Sequence, residues 1–73
     1  MATDVIAHEV DSIGTVAGTV WDYLESSEPV TLSKLARDIE APRDLVMQAV
    51  GWLAREGKVE FHEGARSKLI SLI

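Results

Sequence analysis

Apolar positions in the first third of the chain recur with the period of an α-helix. The stripe, spaced at intervals of three or four residues, consists of Ile6, Val10, Ile13, Ala17, Val20 and Leu24. This spacing predicts an amphipathic helix over residues 8–27. Gly14 and Gly18 lie inside it, and each glycine costs about 1 kcal/mol of helix stability relative to alanine. The helix must therefore gain stability by packing.

Small residues cluster on one side of this first helix. Gly14, Ala17, Gly18 and Trp21 predict a shallow groove with an aromatic end. Two interpretations remain open: packing beneath another helix of the same chain, or a homodimer interface formed by these four residues. The Gly-x-x-x-Gly spacing is a packing signal of membrane helices and does not decide between them here.

Two further helices are predicted after residues 26–29, where Ser-Ser-Glu-Pro disfavours a continued helix. The second spans residues 32–39, with Thr31 as its N-cap. The third spans residues 42–56, with Pro42 in its first turn and Gly57 in the left-handed position that often follows a helix. Its apolar side is predicted to contain Leu45, Val46, Ala49, Val50, Trp52 and Leu53.

The hydrophobic period changes from 3.6 to 2 after Gly57, which predicts a β-hairpin. Its turn is expected at residues 63–66, with Gly64 as the first central residue of a type II′ turn. If Glu63 faces Arg66, the predicted pairs are Val59 with Ile70 and Phe61 with Lys68. One face of the hairpin then carries Val59, Phe61, Ile70 and Leu72, and the other carries Glu60, His62, Leu69 and Ser71.

This order of elements predicts a winged helix-turn-helix fold. The fold class is α+β, mainly α, with three helices followed by a C-terminal β-hairpin wing. A chain of 73 residues has room for one such domain. We place the domain at residues 8–73 and treat residues 1–7 as an N-terminal extension, whose order the sequence leaves open.

Two segments carry a resemblance to a known family. One is Ile13-Gly14 with Ala17-Gly18 and Trp21, and the other is the run Gly51-Trp52-Leu53-Ala54-Arg55-Glu56-Gly57-Lys58-Val59. With these segments the chain resembles, over residues 12–73, small stand-alone prokaryotic winged helix-turn-helix proteins of unknown function. The resemblance implies the fold, homodimers and a nucleic-acid-binding role, and it brings no established ligand or catalytic residue.

Charge is unevenly distributed along the chain. The net charge of -5 has the wrong sign for a protein that binds phosphates over its whole surface. Residues 1–28 contain six acids and no lysine or arginine, whereas residues 29–73 contain seven bases and six acids. The basic residues therefore lie in the part of the chain predicted to form the helix-turn-helix and the wing.

The outward side of the third helix carries side chains suited to reading bases. Arg43 matches guanine, Gln48 adenine and Asp44 cytosine, while Met47 either meets a thymine methyl or covers the edge of the core. The alternative is an ordinary solvated helix face. Gly51 either leaves a flat spot that a backbone can approach or serves tight packing against a neighbouring element. Phosphate contacts are expected from the surrounding bases, namely Lys34, Arg37, Arg55, Lys58, Arg66 and Lys68.

Little in the sequence indicates catalysis. His8 and His62 lack a neighbouring ligand cluster, and no phosphate-binding glycine loop or nucleophile-elbow sequence is present. We expect no enzyme activity, no cofactor, no metal site and no small-molecule substrate. Because no long apolar run or signal-peptide pattern occurs, we also expect a cytoplasmic protein without a membrane partner. Trp21 and Trp52 are expected to anchor the core, with an interface contact as the alternative.

Two functions remain from the sequence. The first is a homodimeric transcription regulator that binds duplex DNA through the third helix and the wing. The second is a non-catalytic protein-interaction or dimerisation module that keeps the winged-helix fold without binding DNA. That module would use the first helix, the apolar wing edge around Leu69 and Ile73, or both.

Overall fold

The computed structural model describes residues 9–64 and 66–73. The elements in chain order are α1 (Glu9–Glu25), β1 (Val30–Thr31), α2 (Leu32–Asp38), α3 (Arg43–Arg55), β2 (Val59–Glu63) and β3 (Lys68–Leu72). The three predicted helices and the hairpin are thus confirmed, with helix ends within two residues of the prediction. The extension predicted at residues 1–7 and the predicted helix start at residue 8 lie outside the described residues.

One apolar core holds these elements together. α1 packs chiefly against α3, and β3 contributes from the sheet. The buried core consists of Ala17, Val20, Leu24, Val30, Leu35, Ile39, Val46, Ala49, Val50, Leu53, Val59 and Ile70. Val10, near the start of α1, is 63% exposed, so the buried part of the predicted stripe begins later in the helix.

The helix ends show why the chain turns where it does. Thr31 caps α2 as predicted, because its side-chain oxygen accepts a hydrogen bond from the Lys34 backbone N–H at 3.1 Å. Pro42 is the N-cap of α3 rather than a residue of its first turn, since its ψ of 140° is extended. Gly57 has the predicted positive φ of 72°. The Lys58 N–H then returns to the Leu53 carbonyl at 3.0 Å, as in a Schellman motif.

A third strand, absent from the prediction, completes the sheet. β1 pairs with β3 through Val30–Ile70 and Thr31–Leu69, which gives the strand order β1-β3-β2. β3 is therefore the central strand, and the prediction that Leu69 lies on an apolar wing edge is wrong. β1 has only two residues, and the second of them is the N-cap of α2. So short a strand produces no alternating pattern, which explains why the sequence did not reveal it.

The register of the hairpin differs from the prediction by two residues. Phe61 pairs with Ile70, and the last pair before the loop is Glu63 with Lys68. The loop therefore spans residues 64–67, whereas the prediction placed only residues 64 and 65 between the strands. At its base the Gly64 N–H donates to the Ser67 carbonyl at 2.7 Å. A Cβ on Gly64 would lie 2.7 Å from that same oxygen, which explains the glycine. Gly64 therefore flanks the turn and has no positive φ, so the prediction that it is the first central residue of a type II′ turn is wrong. Ala65, the other predicted central turn residue, lies outside the described residues.

The two tryptophans differ in burial. Trp21 is half-buried and packs against the core, whereas Trp52 is 45% exposed and is not the core anchor expected from the sequence. One residue step turns an α-helix by about 100°, so Trp52, next to the buried Leu53, falls at the edge of the apolar arc. Phe61 on β2 is likewise 44% exposed.

Candidate nucleic-acid interface

The outward side of α3 carries a polar stripe. Asp44, Gln48, Gly51 and Arg55 follow one another at intervals of three or four residues and are all exposed. Because Val46, Ala49, Val50 and Leu53 of the same helix are buried, this spacing places the stripe opposite the core. We call these four residues the α3 stripe.

Arg43 and Met47 lie to one side of the α3 stripe. Arg43 is exposed in the first turn of the helix. Met47 is partly buried and packs against the core, which favours its role as cover for the core edge. The structure thus brings the four predicted base-reading residues to the first two turns of one helix, with only Met47 drawn towards the interior.

Gly51 leaves a gap in the middle of the α3 stripe. A Cβ built on this glycine would meet nothing within 4 Å, so tight internal packing does not explain it. The flat surface at Gly51 therefore faces solvent and is accessible to a partner.

The basic residues of α2 meet a single carboxylate. Lys34 Nζ lies 2.8 Å from Asp38 Oδ2, and Arg37 Nε lies 3.7 Å from Asp38 Oδ1. The Tyr23 hydroxyl of α1 donates to the same Oδ2 at 2.7 Å. Sequence reasoning missed this cluster, although the four-residue spacing of Lys34 and Asp38 is a known ion-pair signal on helices.

These contacts shift the pKa values of all three partners. The hydrogen bond from Lys34, followed by the one from Tyr23, holds the pKa of the Asp38 carboxyl below its ordinary value. The hydrogen bond to Asp38 raises the pKa of the Lys34 ammonium and that of the Tyr23 hydroxyl. All three groups therefore keep their usual charge states near neutral pH.

The remaining bases are spread over α3 and the wing. Lys58 Nζ lies 3.5 Å from Glu56 Oε1, an exposed ion pair. Within residues 9–64 and 66–73, no salt bridge involves Arg43, Arg55, Arg66 or Lys68. Among the described residues, four cations therefore have no carboxylate partner and three are paired.

A groove lies between α1 and the C-terminal part of α3. It encloses about 320 Å³ and is lined by Gly14, Ala17, Gly18, Trp21, Asp22, Trp52, Leu53, Glu56 and Lys58. We call it the α1–α3 groove. Ala17 is buried, but a Cβ on Gly14 or Gly18 would meet nothing within 4 Å. The interpretation that both glycines serve close packing within the chain is therefore wrong.

A histidine and a serine meet on the outer face of the wing. His62 Nε2 lies 2.8 Å from Ser71 Oγ, and Glu60 Oε2 lies 3.8 Å from the same nitrogen. Because both partners approach one ring nitrogen, the three side chains do not form the relay of a serine hydrolase, in which the acid holds the other nitrogen. The described part of the chain contains no group of three or more His, Cys, Asp or Glu residues able to hold a metal ion.

The described helices include none that combines the length and hydrophobicity needed to cross a membrane. Among curated proteins, no relative matches the chain. Among solved structures, it is similar to the solution NMR structure of protein BT2368 from Bacteroides thetaiotaomicron, with 32% sequence identity and a TM-score of 0.75. That similarity covers 85% of this chain and 76% of the other.

A family model described as a winged helix-turn-helix domain (DUF2582) matches residues 8–72. These residues include all three helices and all three strands, so the match extends over the whole fold. The similarity to BT2368 points to the same architecture. The chain therefore belongs to the DUF2582 family of winged helix-turn-helix domains, whose function is unknown.

Proposed function

We propose that this protein is a cytoplasmic, homodimeric transcription regulator that binds duplex DNA. α3 reads bases in the major groove, and the β2–β3 hairpin is the wing that contacts the DNA backbone. The observation that carries the proposal is the α3 stripe: an exposed polar surface, opposite the core, on the recognition helix of a winged helix-turn-helix fold.

The chemistry of α3 supports base reading at its N-terminal end. Recognition helices contact base edges mainly with their first turns. Arg43, Asp44 and Gln48 occupy the first two turns and are exposed. They match guanine, cytosine and adenine respectively, and Met47 offers an apolar contact for a thymine methyl. Gly51 then lets the DNA backbone approach the middle of the helix.

Phosphate contacts come from bases around α3. Arg55, Arg66 and Lys68 are exposed and unpaired among the described residues, whereas Lys34, Arg37 and Lys58 each lie beside a carboxylate that competes with a phosphate. Because acids such as Glu40 and Glu63 lie among these bases, nonspecific affinity is expected to be weak and to fall steeply with salt.

The occupant proposed for the α1–α3 groove is a second copy of this chain. Each copy presents both the groove and the exposed indole of Trp52 at its rim, as a two-fold symmetric interface requires. Gly14, Ala17, Gly18 and Trp21 form the floor of this interface.

The first test is selection from a random duplex DNA pool at 50 mM salt, repeated near 200 mM. Enrichment of one sequence that weakens at the higher salt supports the proposal, because phosphate contacts release counterions. Two inverted half-sites about one helical turn apart support a dimer that presents both copies of α3 to one side of the DNA. No retention at 50 mM contradicts DNA binding.

A double variant tests the assignment to α3. Arg43→Ala with Arg55→Ala is expected to abolish DNA retention and to shift the melting temperature by only a few degrees, since both side chains are exposed. The control is Asp11→Ala with Glu25→Ala, which removes two exposed charges from α1. Unchanged DNA retention in the arginine variant rejects α3 as the reading element.

A second candidate function is a protein-interaction module. The acidic character of α1 favours it, since Glu9–Glu25 contains four acidic residues and no lysine or arginine. A basic protein partner would then bind α1 and the α1–α3 groove. Failure of DNA retention at 50 mM salt, together with a monomeric mass, makes this function the better one.

A further inference from the structure

We propose that Asp38 acts as an intramolecular substitute for a DNA phosphate: its carboxylate holds Lys34 and Arg37 and thereby limits the affinity of α2 for polyanions. The inference rests on the DNA-binding function proposed above, and it adds a residue that sets the strength of that binding.

Both oxygens of the carboxylate are engaged. Oδ2 is 2.8 Å from Lys34 Nζ and 2.7 Å from the Tyr23 hydroxyl, while Oδ1 is 3.7 Å from Arg37 Nε. The Tyr23 hydroxyl comes from α1 and therefore fixes the carboxylate between the two cations. A phosphate approaching Lys34 or Arg37 therefore meets a cation whose charge is already partly balanced by this anchored anion.

The position of Asp38 within α2 strengthens the argument. Asp38 is the last residue of this helix, where the helix dipole disfavours a negative charge. Helix stability alone therefore does not account for an acid there. Two hydrogen bonds, from Lys34 and Tyr23, and the nearby Arg37 guanidinium stabilise the carboxylate in place of the helix dipole.

α2 is the helix whose basic residues are expected to touch the DNA backbone. In helix-turn-helix proteins the first helix of the motif crosses the backbone while the second enters the major groove. Lys34 and Arg37 are both exposed on α2. Neutralising them lowers nonspecific binding, so a larger share of the affinity depends on the base contacts of α3.

The experiment compares Asp38→Asn with Glu40→Gln in the full chain. Both substitutions remove one negative charge, but Glu40 forms no salt bridge among the described residues, so Glu40→Gln frees no cation. The new amide oxygen of Asp38→Asn still accepts from Tyr23. Dissociation constants are measured for a random 20-base-pair duplex and for heparin, each between about 50 and 200 mM salt.

Asp38→Asn is expected to bind both polyanions about three- to tenfold more tightly at 50 mM salt, with a salt slope steeper by about 1 to 2, because each added phosphate contact contributes about 0.9. Glu40→Gln should change affinity less and leave the slope unaltered. In a Lys34→Ala, Arg37→Ala background the gain from Asp38→Asn should disappear. Equal changes in Asp38→Asn and Glu40→Gln overturn the inference.

Heparin separates this inference from the proposed function. If Asp38→Asn gains affinity for heparin while neither it nor the parent protein retains DNA, the restraint by Asp38 stands and the DNA-binding function fails. If both proteins bind DNA but Asp38→Asn gains affinity for neither polyanion, the function stands and the inference is overturned. Tyr23→Phe keeps all charges, so it should reduce thermal stability with little gain in affinity.

Discussion

α1 and the α2–α3–wing half of the domain differ in charge and in the kind of surface that they expose. α1 carries four acids, no bases and one side of an apolar groove. The other half carries all seven bases of the chain and the polar α3 stripe. The net charge of -5 therefore describes neither face. A partner meets one face at a time, so the local charge decides which partner is attracted.

The glycines of the groove and of the α3 stripe differ from the glycine of the wing in the space around them. At Gly18 in the groove and Gly51 in the α3 stripe, an added Cβ would meet nothing within 4 Å. At Gly64 in the wing, an added Cβ would lie 2.7 Å from the Ser67 carbonyl oxygen. The fold therefore requires a glycine at position 64 but not at positions 18 and 51. Gly18 and Gly51 can be substituted to test the two surfaces.

The largest effect is expected from a core substitution that unfolds the domain, because the groove and the α3 stripe are then lost together. Leu35 is fully buried in the core that supports them. Leu35→Ala is expected to lower the free energy of unfolding by about 2–5 kcal/mol. That is comparable with the roughly 3–5 kcal/mol that a core of this size supplies. Urea denaturation followed by circular dichroism measures it, with Val10→Ala at an exposed site as the control. A loss below about 1 kcal/mol would contradict a shared core.

The next largest effect is expected from a substitution that fills the α1–α3 groove and leaves the α3 stripe unchanged. Gly18→Leu places a side chain in the groove at a position where a Cβ meets nothing within 4 Å, so we expect the fold to be retained and α1 to gain about 0.5–1 kcal/mol of helix propensity. Light scattering should show a shift from dimer to monomer mass. Thr19→Leu adds the same side chain at an exposed neighbouring position and should leave the mass unchanged. An unaltered mass for Gly18→Leu rejects the groove as the dimer interface.

A smaller effect is expected from a substitution in the α3 stripe, which tests whether DNA approaches Gly51. Gly51→Ala is expected to raise the free energy of unfolding by about 0.5–1 kcal/mol, since glycine in a helix is destabilising relative to alanine and the added methyl meets open space. DNA affinity should fall at the same time, because the methyl projects from the middle of the α3 stripe. Thermal melting and DNA titration measure the two changes. Higher stability with unchanged affinity would show that DNA does not approach Gly51.

The smallest effect concerns Asp38, whose hydrogen bond to Tyr23 links the two halves. The pKa of Asp38 lies below its ordinary value of 3.8, so its stabilising contribution is present above pH 3.8 and is lost as pH falls through the lower folded-state pKa. The raised pKa of Lys34 has the opposite sign: its contribution is present below pH 10.5 and is lost as pH rises through the folded-state pKa.

NMR titration of the Asp38 carboxyl carbon measures the first of these values. Lys34→Ala should raise the pKa of Asp38 most, because the Lys34 hydrogen bond is the main cause of its lowering, and Tyr23→Phe should raise it less. An Asp38 pKa at its ordinary value in the parent protein would contradict the observed hydrogen-bond geometry.

Features that depend on residues far apart in the chain follow from the packing of the whole domain. A two-residue slip of the hairpin leaves Phe61 and Ile70 on the same face, so the alternating pattern does not distinguish the two registers. β1 exists only because β3 accepts it as a neighbour. The exposure of Trp52 and the meeting of Tyr23 with Asp38 likewise depend on how the helices are placed relative to one another.

Features that depend on neighbours a few residues away could be predicted before the structure was known. The helix periods, the Thr31 cap, the Gly57 stop and the exposed side of α3 all follow from local backbone preferences and from the 3.6-residue repeat. Local rules set which side of each element is apolar and where each element ends. Which apolar sides meet, and which charges pair across elements, is decided only when the whole core is packed.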